Sequence, residues 1–367
     1  MSGRNDNSKF TVAAVQAGPI VRDAPQWFDL PSTLDKATSL IDEAGRNGAR
    51  LIVFPECWLP CYPYWSVDFA DQLAFRDIWA NFLWSSVEVP GGETEALCAA
   101  AKRANVYVVI GINERDKRFR GRMYNSILYL SPRGEVTGIH RKICPTLHER
   151  LFHTPGGGGD NLKAVFKTEI GNIGGSICGE HAQLTLLNNW IMQGVQIHCS
   201  LWPGLGWLGT LTDLQTRALC CVAGVFGVLS ATYMPEQDIP KKFYGNSVFS
   251  LPGGFRGGSG VVNPHGEYVA GPVFYQETIV YADIDLSDID KKHYAVSLTG
   301  IYSRWDLINM NVRQEQYEPL VSMEAPRGAS PASESNQVED LEARIAQLER
   351  QIATFSHEAV KGAEDKA

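Results

Sequence analysis

Short runs of apolar residues rich in β-branched side chains recur along this chain, each about the length of one buried strand. They are Phe10 to Gln16, Leu51 to Pro55, Val106 to Ile112, Ser126 to Leu130, Gly174 to Cys178, Val195 to Ser200 and Val225 to Thr232. Helix-like stretches fall between several of them, at Leu34 to Ala44, Glu93 to Ala104 and Gln183 to Gln193. Strand-length runs alternating with helices give a layered α/β fold, because each sheet face and each helix stripe must be covered by another layer. Two hairpins are marked by turn-forming residues, Ser131-Pro132-Arg133-Gly134 and Asn263-Pro264-His265-Gly266.

The 367 residues can bury a large core. A formal charge of -8 argues against a nucleic-acid partner, which needs a concentrated basic surface. The basic cluster Arg115 to Arg122 reads as a solvated loop. The polar start MSGRNDNSKF lacks the apolar segment of a secretory signal, so the expected location is the cytoplasm. The uncharged run Ala218 to Met234 is short for a membrane span and is broken by Gly224 and Gly227, so it reads as a buried helix running into a buried strand.

The eight cysteines, Cys57, Cys61, Cys98, Cys144, Cys178, Cys199, Cys220 and Cys221, are scattered. They form neither a disulfide framework nor a paired CxxC metal site, and no HExxH is present, so no metal is expected. From Glu324 to Gln337 the chain loses its large apolar residues and reads as a linker. After it, Val338, Leu341, Ile345, Leu348, Ile352 and Phe355 recur in steps of three and four. That is the seam of a short coiled coil or the apolar face of a single amphipathic helix, covering 338–356, before a disordered tail at 357–367.

Three stretches carry possible chemistry. In Gly-Gly-Ser-Ile-Cys178-Gly-Glu-His181 a strand of small residues ends at a thiol, which would expose Cys178 at a turn, although a buried structural cysteine is the ordinary alternative. In Leu51 to Glu56 a carboxylate closes a fully apolar strand beside Phe54, Cys57 and Trp58. Such surroundings raise a carboxyl pKa toward that of a useful proton acceptor. The segment His140-Arg141-Lys142 to Arg150 is by itself an ordinary charged strand exit, but beside the other two it offers an ammonium and a second carboxylate.

The order FPE, HRK with PTxxER, Cys-x-Glu-His and QGVQIHCSLWPG resembles the carbon-nitrogen hydrolase superfamily, and within it the nitrilase branch, from about Phe10 to about Val312. The resemblance implies a four-layer α-β-β-α sandwich in a domain at 1–323, with subunits pairing as a homodimer and extending to larger or spiral homo-oligomers. It implies Glu56 as general base, Lys142 as cation, Cys178 as nucleophile and Glu149 as an additional carboxylate. The implied reaction converts a small-molecule nitrile to an acid and ammonia through a thioimidate and a thioester, with no cofactor. Amidase, carbamoylase and cyanide-hydrolysing activities are the alternatives within the superfamily, and a non-catalytic oligomeric scaffold is a remote one.

Gly179 stands where an aromatic usually follows the nucleophile, Cys61 replaces a common glycine, and Cys144 replaces a frequent lysine, which leaves the substrate class open. His181, Trp58, Tyr62, Trp65 and Trp202 flank the motifs and are candidates for substrate contact, with core packing as the alternative for the aromatics. A Cys-His pairing of His181 with Cys178 is disfavoured, because near neighbours at a strand-to-helix turn rarely meet in the required geometry.

Overall fold

The computed structural model describes residues 8–23, 25–66, 72–240, 254–300 and 302–313, all within a unit bounded by Met1–Tyr317. The linker, the proposed coil and the tail lie outside the described residues. In chain order the elements are β1 (Lys9–Gln16), α1 (Leu30–Arg46), β2 (Ala49–Val53), α2 (Gln72–Trp84), α3 (Gly92–Ala104), β3 (Tyr107–Arg115), β4 (Met123–Leu130) and β5 (Val136–Arg141). Then follow β6 (Val165–Thr168), β7 (Gly171–Ile177), α4 (Leu184–Met192), β8 (Ile197–Trp202), α5 (Gly209–Ala223), β9 (Phe226–Ala231) and β10 (Tyr233–Met234). The last are β11 (Phe255–Val262), β12 (Tyr268–Phe274), β13 (Thr278–Asp285) and α6 (Ser287–His293).

The strands form two sheets. One is six-stranded in the order β13-β1-β2-β3-β4-β5, and the other is seven-stranded in the order β10-β11-β9-β8-β7-β6, with β12 paired to β11. Each contains a parallel unit, β1-β2-β3 in the first and β7-β8-β9 in the second. Parallel neighbours need crossover connections, and α1 and α3 supply them in one sheet while α4 and α5 supply them in the other.

Strand alternation sorts the side chains into layers. In β1, Val12 and Ala14 join the core between the sheets, whereas Ala13 and Val15 face the helices. On that outer face α1 buries Thr33, Ala37, Ile41 and Ala44, a helical stripe begun by Asp29, whose side chain accepts from the Ser32 N–H at 3.0 Å. Leu97, Ala100 and Ala101 of α3 complete this layer. The second sheet is covered by Leu186, Leu187, Trp190 and Ile191 of α4 with Leu219 and Ala223 of α5. The result is the four-layer α-β-β-α sandwich.

The run Ala218 to Met234 is the end of α5, a left-handed turn at Gly224, then β9 and β10. Among the described residues no helix is long and apolar enough to cross a membrane. The Ser131–Gly134 turn joins β4 to β5 and the Asn263–Gly266 turn joins β11 to β12. The Arg115 to Arg122 stretch is the loop between β3 and β4, where Arg122 lies over the Phe119 ring.

Candidate active site

Glu56 reaches the centre of the molecule because its strand is interrupted. The Phe54 N–H bonds Val109 O and the Leu59 N–H bonds Gly111 O, so β3 advances two residues while this chain spends five. The surplus loops out and carries Glu56 and Cys57, the latter at φ +44°. The loop crosses so close to β3 that a Cβ at position 111 would overlap the Pro55 carbonyl, which is why Gly111 stands there.

Lys142 leaves the edge strand β5, and its backbone N–H is held by Asn125 O at 2.8 Å. Its ammonium, fully buried, lies 2.8 Å from Glu56 Oε1 and 2.8 Å from both oxygens of Glu149. Glu149 sits in a single 3-10 turn, Leu147–Leu151. It also accepts from the Thr146 N–H at 3.0 Å and from the Tyr62 hydroxyl at 2.9 Å.

The two carboxylates are therefore unequal. Donors surround both oxygens of Glu149. On Glu56 only Oε1 is bonded, by Lys142 and by Asn125 Nδ2 at 2.7 Å, and Oε2 has no hydrogen-bond partner among the described residues. Burial raises both carboxyl pKa values, but for Glu149 the Lys142 charge and the donors outweigh it and hold the group below the usual range. For Glu56 burial wins over Lys142, the charge of Glu149 adds to it, and the pKa rises to about 7. Burial works against the Lys142 ammonium, yet Glu149 and Glu56 raise it, so it stays charged.

Cys178 follows β7 from the opposite sheet, begins the turn Cys178–Ala182 and takes φ +44°. A non-glycine residue there stores about 1–3 kcal/mol of backbone strain, a cost borne where geometry is fixed by the surroundings. Burial raises its thiol pKa well above the ordinary value; the Glu56 charge adds, while Lys142 and the Gly179 N–H oppose. The resting group is a neutral thiol in the field of Glu56.

His181 is tied into the same turn. Its Nδ1 lies 2.9 Å from Cys178 O, which can only accept, so Nδ1 carries the hydrogen. Burial lowers its pKa to about 4, and in the neutral ring Nε2 accepts from the Ser200 hydroxyl at 2.6 Å. The ring stacks on Trp202, whose Nε1 bonds Ser200 Oγ at 3.0 Å. Both ring nitrogens are engaged, so a role as thiol base is unavailable to His181.

The other aromatics divide. Tyr62 touches the carboxylate cluster directly. Trp58 packs with Phe54 on the helix side of the first sheet and donates to Ala17 O at 2.8 Å. Trp65 is set among Phe28, Phe82 and Phe152 in the core between the sheets. Cys61 is buried, with its Sγ donating to Tyr62 O at 3.3 Å, and Cys144 is exposed. At Gly179 a Cβ would lie 2.9 Å from Thr146 Oγ1, on the loop that leads to Glu149.

Sequence reasoning missed Asn125 and Glu180. Asn125 sits in β4, far from every motif considered, and its role follows only from the pairing that brings β4 beside β3. Glu180 was visible beside Cys178 without an assigned partner.

The sequence profile of carbon-nitrogen hydrolases matches residues 11–294. The chain belongs to the carbon-nitrogen hydrolase family. It is 32% identical over 303 residues to "Nitrilase 2" from an unknown prokaryotic organism, covering 82% of this chain and 94% of that one. It is 32% identical over 326 residues to the "Aliphatic nitrilase" of Sinorhizobium fredii (strain HH103), covering 86% and 99%. Among solved structures, Saccharomyces cerevisiae Nit3, a member of branch 10 of the nitrilase superfamily, matches with a TM-score of 0.63 at 23% identity, covering 80% of this chain and 96% of that chain, and shares the fold. This carbon-nitrogen hydrolase falls in the nitrilase branch and is an enzyme acting on carbon–nitrogen bonds.

Proposed function

We propose that the protein is a nitrilase that converts an organic nitrile to its carboxylic acid and ammonia, with Cys178 as nucleophile, Glu56 as general base, Lys142 as fixed cation and Glu149 as the carboxylate that holds Lys142. The observation that carries this reading is the inequality of the two carboxylates. Glu149, saturated by donors, remains an anion beside Lys142, whereas Glu56 has a pKa of about 7 and an oxygen without a partner among the described residues. A base works best when its pKa lies near the working pH.

In the proposed cycle Glu56 takes the Cys178 proton as sulfur bonds to the nitrile carbon, and returns it to the nitrogen as one carbon–nitrogen π bond breaks. The product is a thioimidate. Glu56 then takes a proton from water as its oxygen bonds to the same carbon, and Lys142 stabilises the tetrahedral species. That proton passes to nitrogen as the remaining carbon–nitrogen π bond opens, and the carbon–nitrogen bond then breaks as the new hydroxyl gives up its proton to the leaving nitrogen, releasing ammonia and leaving a thioester. A second water, activated in the same way, displaces the Cys178 sulfur as the acid departs. Tyr62, His181 and Trp202 border this centre in the proposal, with Trp58 and Trp65 supporting it from the two cores.

All eight cysteines are free thiols, which suits the cytoplasm. On α5 Leu211, Leu214 and Val222 are exposed, an apolar stripe that supports assembly as a homo-oligomer. The proposed catalytic domain is 1–323, followed by the linker at 324–337 and, at 338–356, a short coiled-coil or amphipathic helix.

The test is ammonia release and product analysis across aliphatic, aromatic, arylaliphatic and dinitrile substrates, with cyanide and simple amides beside them, for wild type and Cys178→Ala. Acid and ammonia from nitriles, lost in Cys178→Ala, supports the proposal. Turnover confined to amides makes the protein an amidase, and turnover of none makes it a scaffold.

A further inference from the structure

The carboxylate of Glu180 lies between the two catalytic strands and bonds to both. Its Oε1 accepts the N–H of Ile143, the residue after Lys142, at 2.8 Å, and its Oε2 accepts the N–H of Ile177, the residue before Cys178, at 2.9 Å. The first N–H belongs to the chain leaving β5 of one sheet, and the second to the end of β7 in the other. His140 Nε2 lies 3.2 and 3.1 Å from the same two oxygens.

The protonation of this group follows from its partners. His140 Nδ1 lies 3.1 Å from Asn161 O, which can only accept, so that nitrogen carries a hydrogen. The other ring nitrogen faces a carboxylate already receiving two backbone N–H groups. An imidazolium beside a carboxylate satisfies every lone pair and hydrogen, and both side chains are fully buried. The Trp190 ring of α4 meets His140 edge-on and donates its own N–H to Ser176 Oγ of β7, closing the pair from the side of that helix. Burial opposes both charges, yet the His140 pKa is raised by Glu180 and the Glu180 pKa is lowered by His140 and the two N–H groups.

We infer that Glu180, with His140 as its counter-ion, is a positioning residue that sets the Lys142 ammonium relative to the Cys178 thiol by clasping the backbone next to each. It touches no reacting atom. The groups facing Glu56 and Cys178 are Lys142, Glu149, Tyr62 and Cys57. Lys142 favours ionisation of both Glu56 and Cys178, so if it withdraws, both groups ionise at higher pH. This deepens the reading of Cys178 and Glu56 given above and rests on it for their roles.

Glu180→Gln tests the clasp. The amide nitrogen points hydrogens at one of two backbone N–H groups, donor against donor, and His140 loses its counter-charge. The readout is alkylation of Cys178 by iodoacetamide from pH 5 to 10, a range that spans the midpoint of about 7 of Glu56, the base proposed to take the thiol proton, followed by peptide mass spectrometry, with exposed Cys144 as internal reference. The expected result is at least a tenfold fall at pH 7 for Cys178 relative to Cys144, and a profile displaced upward by about one pH unit. A profile that keeps its midpoint, whether or not its height changes, overturns the inference, because a structural role alone lowers the amount of folded protein without moving it. If Glu180→Gln does not fold, His140→Gln decides, with a smaller displacement in the same direction expected and an unchanged midpoint overturning the inference. Failure of both to fold assigns the pair to the fold and overturns it too. The nitrile panel is measured alongside: a displaced alkylation profile without nitrile turnover retains the clasp and removes the nitrile reading.

Discussion

Replacing Lys142 with Met keeps the length of the side chain and removes the charge that holds two buried carboxylates together. Lys142, Glu56 and Glu149 are all fully buried, with every ammonium–carboxylate contact at 2.8 Å. Removing one partner of such a group leaves uncompensated buried charge, at about 3–5 kcal/mol. The sign with pH is fixed. Without Lys142, burial and mutual repulsion raise the folded pKa of both carboxyls above their unfolded values, and a group so raised loses stability as pH climbs past its unfolded pKa. The destabilisation relative to wild type is therefore full near pH 8, where both carboxylates are ionised, and falls to about 1–2 kcal/mol near pH 5, where the folded variant is neutral and a Met replaces a pair that was close to neutral in net worth. Urea unfolding of both proteins at pH 8 and pH 5, compared by midpoint at constant slope, measures it. Equal destabilisation at the two pH values refutes the reasoning.

Glu56→Gln keeps the shape and removes the proton acceptor, so nitrile capture on Cys178 slows or stalls, and intact-protein mass spectrometry reads the adduct; normal rates of capture and release would make Glu56 structural. Asn125→Leu removes a hydrogen bond to the Glu56 carboxylate at about 1.5–3 kcal/mol, or about 1–2 pH units. Ionised Glu56 is required above its pKa, so the acid limb of kcat/KM moves upward from about 7, and an unmoved limb contradicts the assignment. Gly179→Trp drives its Cβ against Thr146 Oγ1, displacing the loop before Glu149, so turnover falls and the ranking of nitriles changes; an unchanged ranking excludes that face from the substrate.

The parallel strands were legible because burial on both faces writes them as continuous apolar runs, and β1, β2, β3, β7, β8 and β9 all begin or end within a few residues of such a run. The strands β5 and β12 were marked only by the hairpin turns before them, since Val136–Arg141 carries mixed polarity, and β13 was not marked at all, since Thr278–Asp285 acquires its partner only when β1 comes alongside. Lys142, Glu149 and Glu56 were legible as separate charged or framed residues, and the structure joins them with Tyr62. The split between Tyr62 at the carboxylates and Trp65 in an aromatic core was not, because the sequence fixes neither the course of the segment after Glu56 nor the side each ring faces. Asn125 acts on a group distant in the chain, and Glu180, though visible beside Cys178, takes its His140 and Ile143 partners from the other sheet, so the sequence assigned neither a role.

The pairing of β1 with β13 joins Gln16 to Thr278, so the outer edge of β1 waits for a partner made roughly 260 residues later. At translation speeds of about 5–20 residues per second, that edge stands open for roughly 15–50 s on every ribosome. It is an apolar strand, Phe10 to Val15 with five of its six side chains buried in the finished molecule, the kind of edge that recruits strands from other chains. The expected consequence is that chains truncated before Thr278 aggregate more readily than the full chain, since the edge of β1 that β13 covers is left open.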